Sequence, residues 1–188
     1  GINTGVADAV DLGWKLAATI QGWGGPQLLA SYDRERRPAG ARAVGSATQF
    51  HAAQTGWGDG LDTLDEASDR GDALRQRIGD ILVNQVGREF RTMGLQLGYR
   101  YEDSPICVAD GTPAPPDDPE TYRPTSRPGG RAPHAWLGEN RSVLDFFRRG
   151  FTLLCLGHAE DGNAFRDAAA QHGVPLDIVQ IDDRTVAN

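Results

Sequence analysis

The residues best suited to chemistry stand at the start of the chain, where Gly1 and Gly5 flank Ile2, Asn3 and Thr4. Glycine lets a backbone approach a flat or charged ligand closely. A helix that starts after such a turn offers free N–H groups and the positive end of its macrodipole. This turn is therefore a candidate anion site, although an ordinary capped helix after a tight turn explains the same residues.

The helix that would position this turn is predicted over residues 6–21, with Asn3 or Thr4 as its N-cap. Its apolar residues fall on two faces, which is typical of a helix buried inside a larger body. Asp8 and Asp11 lie in its first turns, where acidic side chains interact favourably with the helix dipole. Neither aspartate is assigned a catalytic role.

Further helices are predicted behind the first one. A second helix over residues 28–51 should be kinked or broken at Pro38, which lacks an N–H group. Tyr32, Glu35 and Arg36 on this helix could form a buried ion pair that docks it. A third helix is predicted over residues 73–90 from a rough 3.6-residue apolar period.

The second half of the chain shows strand patterns. Alternation predicts a half-buried strand over residues 95–101, followed by a short strand over residues 105–109. Apolar runs at 151–156 and 176–181 flank a short helix at 164–172, which is a βαβ pattern with parallel strands. Residues 111–130 are rich in Pro, Asp and Gly and are predicted to be an ordered linker arm. The fold class is therefore predicted to be α/β.

Composition excludes several function classes. The chain has 188 residues and a formal net charge of −7, so it lacks the basic face that nucleic-acid binding needs. No apolar stretch approaches the length of a membrane span, and no signal peptide is found, so a cytoplasmic location is expected. Cys107 and Cys155 are expected to be inert buried thiols, and no metal-ligand spacing is present. His134 is expected to be structural.

The run from Gly1 to Ala17 resembles the second flavin-binding motif of the class A FAD-dependent aromatic hydroxylases, the phenol and aromatic-polyketide hydroxylases. It departs from the family pattern at Asp11, where the family usually has Asn. Two later blocks continue the resemblance: Leu28-Leu29-x-x-Tyr32-x-x-Glu35-Arg36-x-Pro38, and Arg127-Pro128-Gly129-Gly130-Arg131-Ala132-Pro133-His134 with Trp136-Leu137. Because these ordered blocks spread over almost the whole chain, the resemblance is specific.

The resemblance implies FAD as cofactor and NAD(P)H as reductant, with hydroxylation of a phenolic or aromatic polyketide substrate by O2. It implies that Gly1, Ile2, Asn3 and Thr4 bind the cofactor, with their backbone N–H groups facing N1 and the C2 carbonyl of the flavin ring. No side chain of this sequence is assigned as catalytic. Hydroxylation and Baeyer–Villiger oxygen insertion share this scaffold, so the resemblance does not separate these two reactions. It also does not separate NADH from NADPH as the reductant.

The resemblance also implies a division of the chain. Residues 1–110 would be the C-terminal helical portion of an FAD- and substrate-binding domain, residues 111–130 a linker arm, and residues 131–188 a partial thioredoxin-like domain. The Gly-x-Gly-x-x-Gly fingerprint that holds the FAD pyrophosphate is not found. The chain is therefore expected to be the C-terminal part of such an enzyme, inactive alone, with the FAD domain supplied by a longer polypeptide or another chain.

A second hypothesis is a non-catalytic interaction or oligomerisation module derived from such an enzyme, with homo-oligomers as one outcome. The two hypotheses differ in what covers the first helix. Burial of Val10, Trp14 and Leu16 by a partner copy would favour the module. Exposure of that helix would favour the hypothesis that the chain is part of a longer enzyme.

Overall fold

The computed structural model describes residues 2–55, 57–138, 140–157 and 162–182. It contains five α-helices and two β-strands in these ranges. In chain order they are α1 (Ile2–Ile20), α2 (Leu28–Thr55), α3 (Asp69–Asn84), α4 (Met93–Leu97), β1 (Phe151–Leu156), α5 (Asn163–His172) and β2 (Leu176–Ile181). Short 3-10 helices cover Leu61–Thr63, Val86–Phe90 and Val143–Phe146. No helix in the described ranges is long and apolar enough to cross a membrane.

Helix α1 begins earlier than the sequence suggested. Ile2, Asn3 and Thr4 are already helical, so the prediction that they form a turn, with Asn3 or Thr4 as N-cap, is wrong. No proline interrupts this stretch, and Gly5 costs a helix only about 1 kcal/mol relative to alanine. Gly1 lies outside the described residues.

Helix α2 runs without a break through Pro38. The break considered from the sequence does not occur, and the helix extends to Thr55 rather than to His51. Proline removes one backbone hydrogen bond to the preceding turn, but the remaining turns on both sides maintain the helix. Helices α1 and α2 pack directly against each other across the turn at residues 21–27.

The third predicted helix, over residues 73–90, corresponds to two elements in the structure, helix α3 and a 3-10 helix after it. α3 begins at Asp69, where the hydroxyl of Ser68 accepts a hydrogen bond of 3.2 Å from the Gly71 amide. The α-helix ends at Asn84, and Val86–Phe90 continues as a 3-10 helix. The N-cap explains the early start, because it satisfies an amide that the helix itself leaves free.

The strands predicted at residues 95–101 and 105–109 are wrong. Leu95 and Leu97 belong to the short helix α4, and residues 98–109 form no strand. The amide of Leu95 donates to the carbonyl of Pro119 at 2.8 Å, and the amide of Tyr101 donates to that of Gly129 at 2.9 Å. The segment therefore pairs irregularly with residues 111–130 instead of with a strand.

The βαβ unit is confirmed. β1 and β2 are parallel, with Phe151 opposite Leu176 and Leu156 opposite Ile181. α5 connects them and ends at Gly173, whose φ of 65° lies in the left-handed region that glycine adopts without strain. The described residues thus form a helix-rich α/β structure with a two-stranded parallel sheet.

Residues 111–130 contain no helix or strand but pack closely on α2 and α4. The guanidinium of Arg42 donates to both carboxylate oxygens of Asp117, at 2.9 Å from Nε and 2.7 Å from Nη2, and to the carbonyl of Leu95 at 3.2 Å. A Cβ on the buried Gly94 would overlap the carbonyl of Asp118 and lie 2.7 Å from that of Thr121. The arm therefore lies in van der Waals contact with α4.

This contact predicts a difference between two glycine substitutions. Gly94→Ala should destabilise the chain by about 1–3 kcal/mol, because the added methyl group has no space. Gly79→Ala in α3 is the matched control, since nothing lies within 4 Å of the added carbon. The control should be neutral or stabilising by up to about 1 kcal/mol. Urea denaturation measures both, and equal stabilities would contradict the close packing of the arm.

Candidate functional site

The interface between α1 and α2 is built from buried charges. Lys15 is 0% exposed and Glu35 is 1% exposed, while Asp11 and Arg36 are also buried. Charged side chains are almost never fully buried unless they are paired. Two clusters of polar side chains provide the partners of these buried charges.

The first group, the Lys15 cluster, consists of Asp11, Lys15, Glu35 and Ser104. The Lys15 ammonium donates to Asp11 Oδ2 at 2.8 Å and also to Glu35 Oε2. The other oxygen of Glu35 accepts a hydrogen bond from the hydroxyl of Ser104. The cluster therefore joins α1, α2 and the segment after α4, and it holds two carboxylates around one ammonium.

The second group, the Arg36 cluster, consists of Asp8, Arg36, Tyr99 and Tyr101. Arg36 Nε donates to Asp8 Oδ1 at 2.7 Å, and Arg36 Nη1 donates to the Tyr101 hydroxyl at 3.2 Å. The guanidinium carbon lies 5.3 Å from the centre of the Tyr99 ring, within the range of a cation–π contact. This cluster also joins α1, α2 and the segment after α4, and it lies nearer the start of α1 than the Lys15 cluster does.

Helical spacing explains why these charges meet. Asp8, Asp11 and Lys15 follow one another at intervals of three and four residues, so they share one face of α1. That face lies against Glu35 and Arg36 of α2. The sequence suggested an ion pair formed by residues of α2 itself, whereas each of these two residues pairs with α1.

The apolar face of α1 points away from the described residues. Its exposed large apolar side chains are Ile2, Val6, Val10, Leu16 and Ile20. Within the described residues this apolar face is uncovered, so its burial inside a larger body stays a prediction. Apolar periodicity predicted the helix but not which of its faces contacts α2. That face carries buried ion pairs instead of apolar side chains.

Trp14 is partly covered, in contrast to Val10 and Leu16. Its ring stacks on Trp23 with centroids 6.3 Å apart and meets the ring of Phe151 edge-on at 6.0 Å. These aromatic contacts link α1 to the first strand of the βαβ unit. No described segment covers Val10 or Leu16, which is the arrangement expected for part of a longer enzyme.

Burial shifts the pKa of some groups in both clusters. It raises the pKa of Asp11 above its ordinary value, and the hydrogen bond from Lys15 opposes this rise without cancelling it. It also raises the pKa of Tyr101, despite the hydrogen bond from Arg36. For Arg36, burial lowers the pKa, but hydrogen bonds to Asp8 and Tyr101 outweigh burial and raise it. At neutral pH the Arg36 cluster thus holds a cationic guanidinium and a neutral phenol.

Three of the four predicted cofactor-binding residues, Ile2, Asn3 and Thr4, lie at the open end of α1, and Gly1 lies outside the described residues. Ile2 and Asn3 are exposed, Thr4 is half-buried, and no acidic side chain occupies the first turn. A Cβ built on Gly5 would meet nothing within 4 Å. A planar group with negative charge therefore fits this end, where free N–H groups and the helix dipole favour an anion.

The other residues singled out in the sequence do not join this site. His134 contacts Trp136 edge-on at 4.8 Å. Cys155 is buried in β1, whereas Cys107 is only half-buried. His158 lies outside the described residues. In the part of the chain that is described, no three His, Cys, Asp or Glu side chains are arranged to hold a metal ion.

The first part of the chain matches a known protein family. The model of the FAD binding domain family matches residues 1–47, which include α1 and the charged half of α2. The FAD-dependent monooxygenase opdD of Penicillium oxalicum is 38% identical over 191 residues, covering 96% of this chain and 36% of the relative. The chain is similar over nearly its whole length to part of the FAD-dependent aromatic and polyketide hydroxylases.

Two further members of the family show how far the similarity extends. A putative polyketide hydroxylase of Streptomyces halstedii is 35% identical, covering 95% of this chain and 29% of the relative. The structure of the rebeccamycin biosynthetic enzyme RebC with reduced flavin superposes with a TM-score of 0.84 at 39% identity, covering 97% of this chain and 34% of that one. The chain thus spans about a third of the length of these proteins. FAD is the cofactor of this family.

The raised pKa of Asp11 predicts a pH-dependent stability. At low pH, Asp11 is protonated in the folded and unfolded chains alike; as pH rises through the raised folded pKa, the folded chain must ionise a buried carboxyl, and stability is lost. Asp11→Asn removes this loss. We expect the variant to gain stability over the native chain at pH 8, and the gain to shrink as pH falls towards the ordinary carboxyl pKa.

Urea denaturation at a series of pH values measures this difference. A gain that is independent of pH would contradict the assignment of the effect to Asp11. A variant that is less stable than the native chain at pH 8 would show that the Lys15–Asp11 ion pair outweighs the burial of the carboxylate.

Proposed function

We propose that this chain is part of an FAD-dependent monooxygenase that hydroxylates a phenolic or aromatic polyketide substrate with NAD(P)H and O2. The observation that carries the proposal is the open, uncharged N-terminal end of α1, within the residues that match the FAD binding domain. The relatives described as a monooxygenase and a polyketide hydroxylase support the reaction class and the substrate class.

The proposed contacts to FAD are made by backbone groups at the start of α1. In the proposal, the N–H groups of Gly1, Ile2, Asn3 and Thr4 face the electron-rich edge of the flavin ring. Bound FAD would supply the redox chemistry, accepting hydride from NAD(P)H and activating dioxygen. The helix end would stabilise negative charge on the ring, typically by about 0.3–1 kcal/mol and more when buried.

Binding and orientation are the proposed contributions of this chain, because no side chain here is assigned to the chemical step. Gly5 leaves room for close approach of the ring. In the proposed division, residues 1–110 belong to the cofactor- and substrate-binding body, residues 111–130 to the arm, and residues 131–188 to a thioredoxin-like unit. The βαβ order of β1, α5 and β2 supports the last assignment.

The test compares two glycines of α1. Gly5→Ala places a methyl group where the ring is proposed to lie and should weaken FAD binding roughly tenfold, since overpacking costs about 1–3 kcal/mol. Gly13→Ala is the matched control, because both glycines are exposed in the same helix with open space around them. Both variants should melt at or above the native temperature, since alanine favours helix. Visible absorption during FAD titration reports the affinity.

A bound-flavin spectrum that weakens in Gly5→Ala alone would support the proposed site. Equal affinities in the two variants would place the ring elsewhere. If the native protein takes up no flavin, the chain does not bind FAD by itself, and the interaction-module hypothesis gains support.

A further inference from the structure

The start of α1 is held by few contacts. Among the described residues, no side chain from Ile2 to Ala7 makes a hydrogen bond or an ion pair. The first such contact along the helix is the ion pair of Asp8 with Arg36, at 2.7 Å. At 1.5 Å per residue, Asp8 lies only about 9 Å along the helix from Ile2.

Arg36 itself is fixed from three sides. It is 5% exposed, donates to Asp8 and to Tyr101, and lies over the ring of Tyr99. Its planar guanidinium offers donors in a rigid fork, so each contact fixes a direction as well as a distance. The apolar side chains of α1 cannot supply this fixation, because those near its start, such as Val6 and Val10, are exposed.

We propose that Arg36 is a positioning residue for the cofactor-binding end of α1. It holds Asp8 at a set distance from the segment that carries Tyr99 and Tyr101, and thereby fixes where the first turn of α1 stands along the helix axis. A shift of α1 by one residue along its axis would break the contact to Asp8. The proposal rests on the proposed function, since it takes the open end of α1 as the flavin site.

The pair can be removed without leaving a buried charge. In the double variant Asp8→Asn/Arg36→Met both ionised partners are replaced, which is often close to neutral for stability, whereas removal of one partner is costly. The matched control is Asp33→Asn/Arg37→Met. Arg37 is the neighbour of Arg36 on α2 and donates to Asp33 at 2.7 Å, but both side chains are exposed and their ion pair lies within α2.

The first readout is hydrogen exchange of the α1 amides in the chain without FAD. We expect amides 6–10 to exchange roughly tenfold faster in the Asp8/Arg36 variant, because local opening of the helix start becomes easier. Amides of α3 and β1 should be unchanged, and the control variant should match the native chain throughout. Unchanged exchange at amides 6–10 would overturn the proposal whether or not FAD binds.

The second readout is FAD affinity set against the free energy of unfolding. If the start of α1 is competent for binding only about a tenth of the time, the apparent affinity falls about tenfold. We expect this loss in the double variant even where its stability equals that of the control. Arg36→Lys should recover part of the affinity relative to Arg36→Met, because it keeps the charge facing Asp8 but not the fork.

Equal FAD affinity in the double variant and the control would overturn the positioning role. An affinity that follows only the free energy of unfolding across the variants would overturn it as well. If the native chain takes up no FAD, the proposed function fails by itself, and the exchange measurement still decides whether Arg36 fixes the start of α1.

Discussion

The Lys15 ammonium, enclosed between the carboxylates of Asp11 and Glu35, is the interaction on which the rest of this structure depends. No part of Lys15 reaches solvent, so protein groups must supply all of its polar partners. Ser104 binds the second oxygen of Glu35 and ties a third segment to the pair of helices. Loss of Lys15 would leave the carboxylates of Asp11 and Glu35 buried without a cation.

This constraint explains the unusual orientation of α1. A helix that presents ion pairs to its neighbour must turn its apolar side chains elsewhere, and Ile2, Val6 and Val10 are exposed as a result. Directional contacts also set the position of a helix along its axis more sharply than apolar packing does. The open end of α1 is thus held through charges of α2 rather than through contacts of its own first turn.

The extent to which the sequence predicts this fold differs along the chain. The strands β1 and β2 are predicted to the residue, because each is an apolar run bounded by breakers such as Gly150, Gly173 and Pro175. The strand predicted at residues 95–101 fails, since the segment starts in the short helix α4 and then bonds to an irregular arm. Periodicity carries no information about which distant segment an element meets.

The candidate site shows the same limit. Glycines and helix position indicate an anion-binding end, and the resemblance assigns it to flavin. The spacing of Asp8, Asp11 and Lys15 indicates a shared face, but it does not reveal that this face is buried. The contact of Arg36 with Tyr101 spans 65 positions and has no local signal. The single lysine in an arginine-rich chain is a signal that could have identified the cluster.

A double-mutant cycle between Lys15 and Glu35 tests the central claim most directly. Urea denaturation would be measured for the native chain, Lys15→Met, Glu35→Gln and the double variant. The buried ion pair predicts that Lys15→Met alone costs about 3–5 kcal/mol and that the double variant is more stable than the sum of the single effects implies. Additive effects, each below about 1 kcal/mol as for exposed ion pairs, would contradict it.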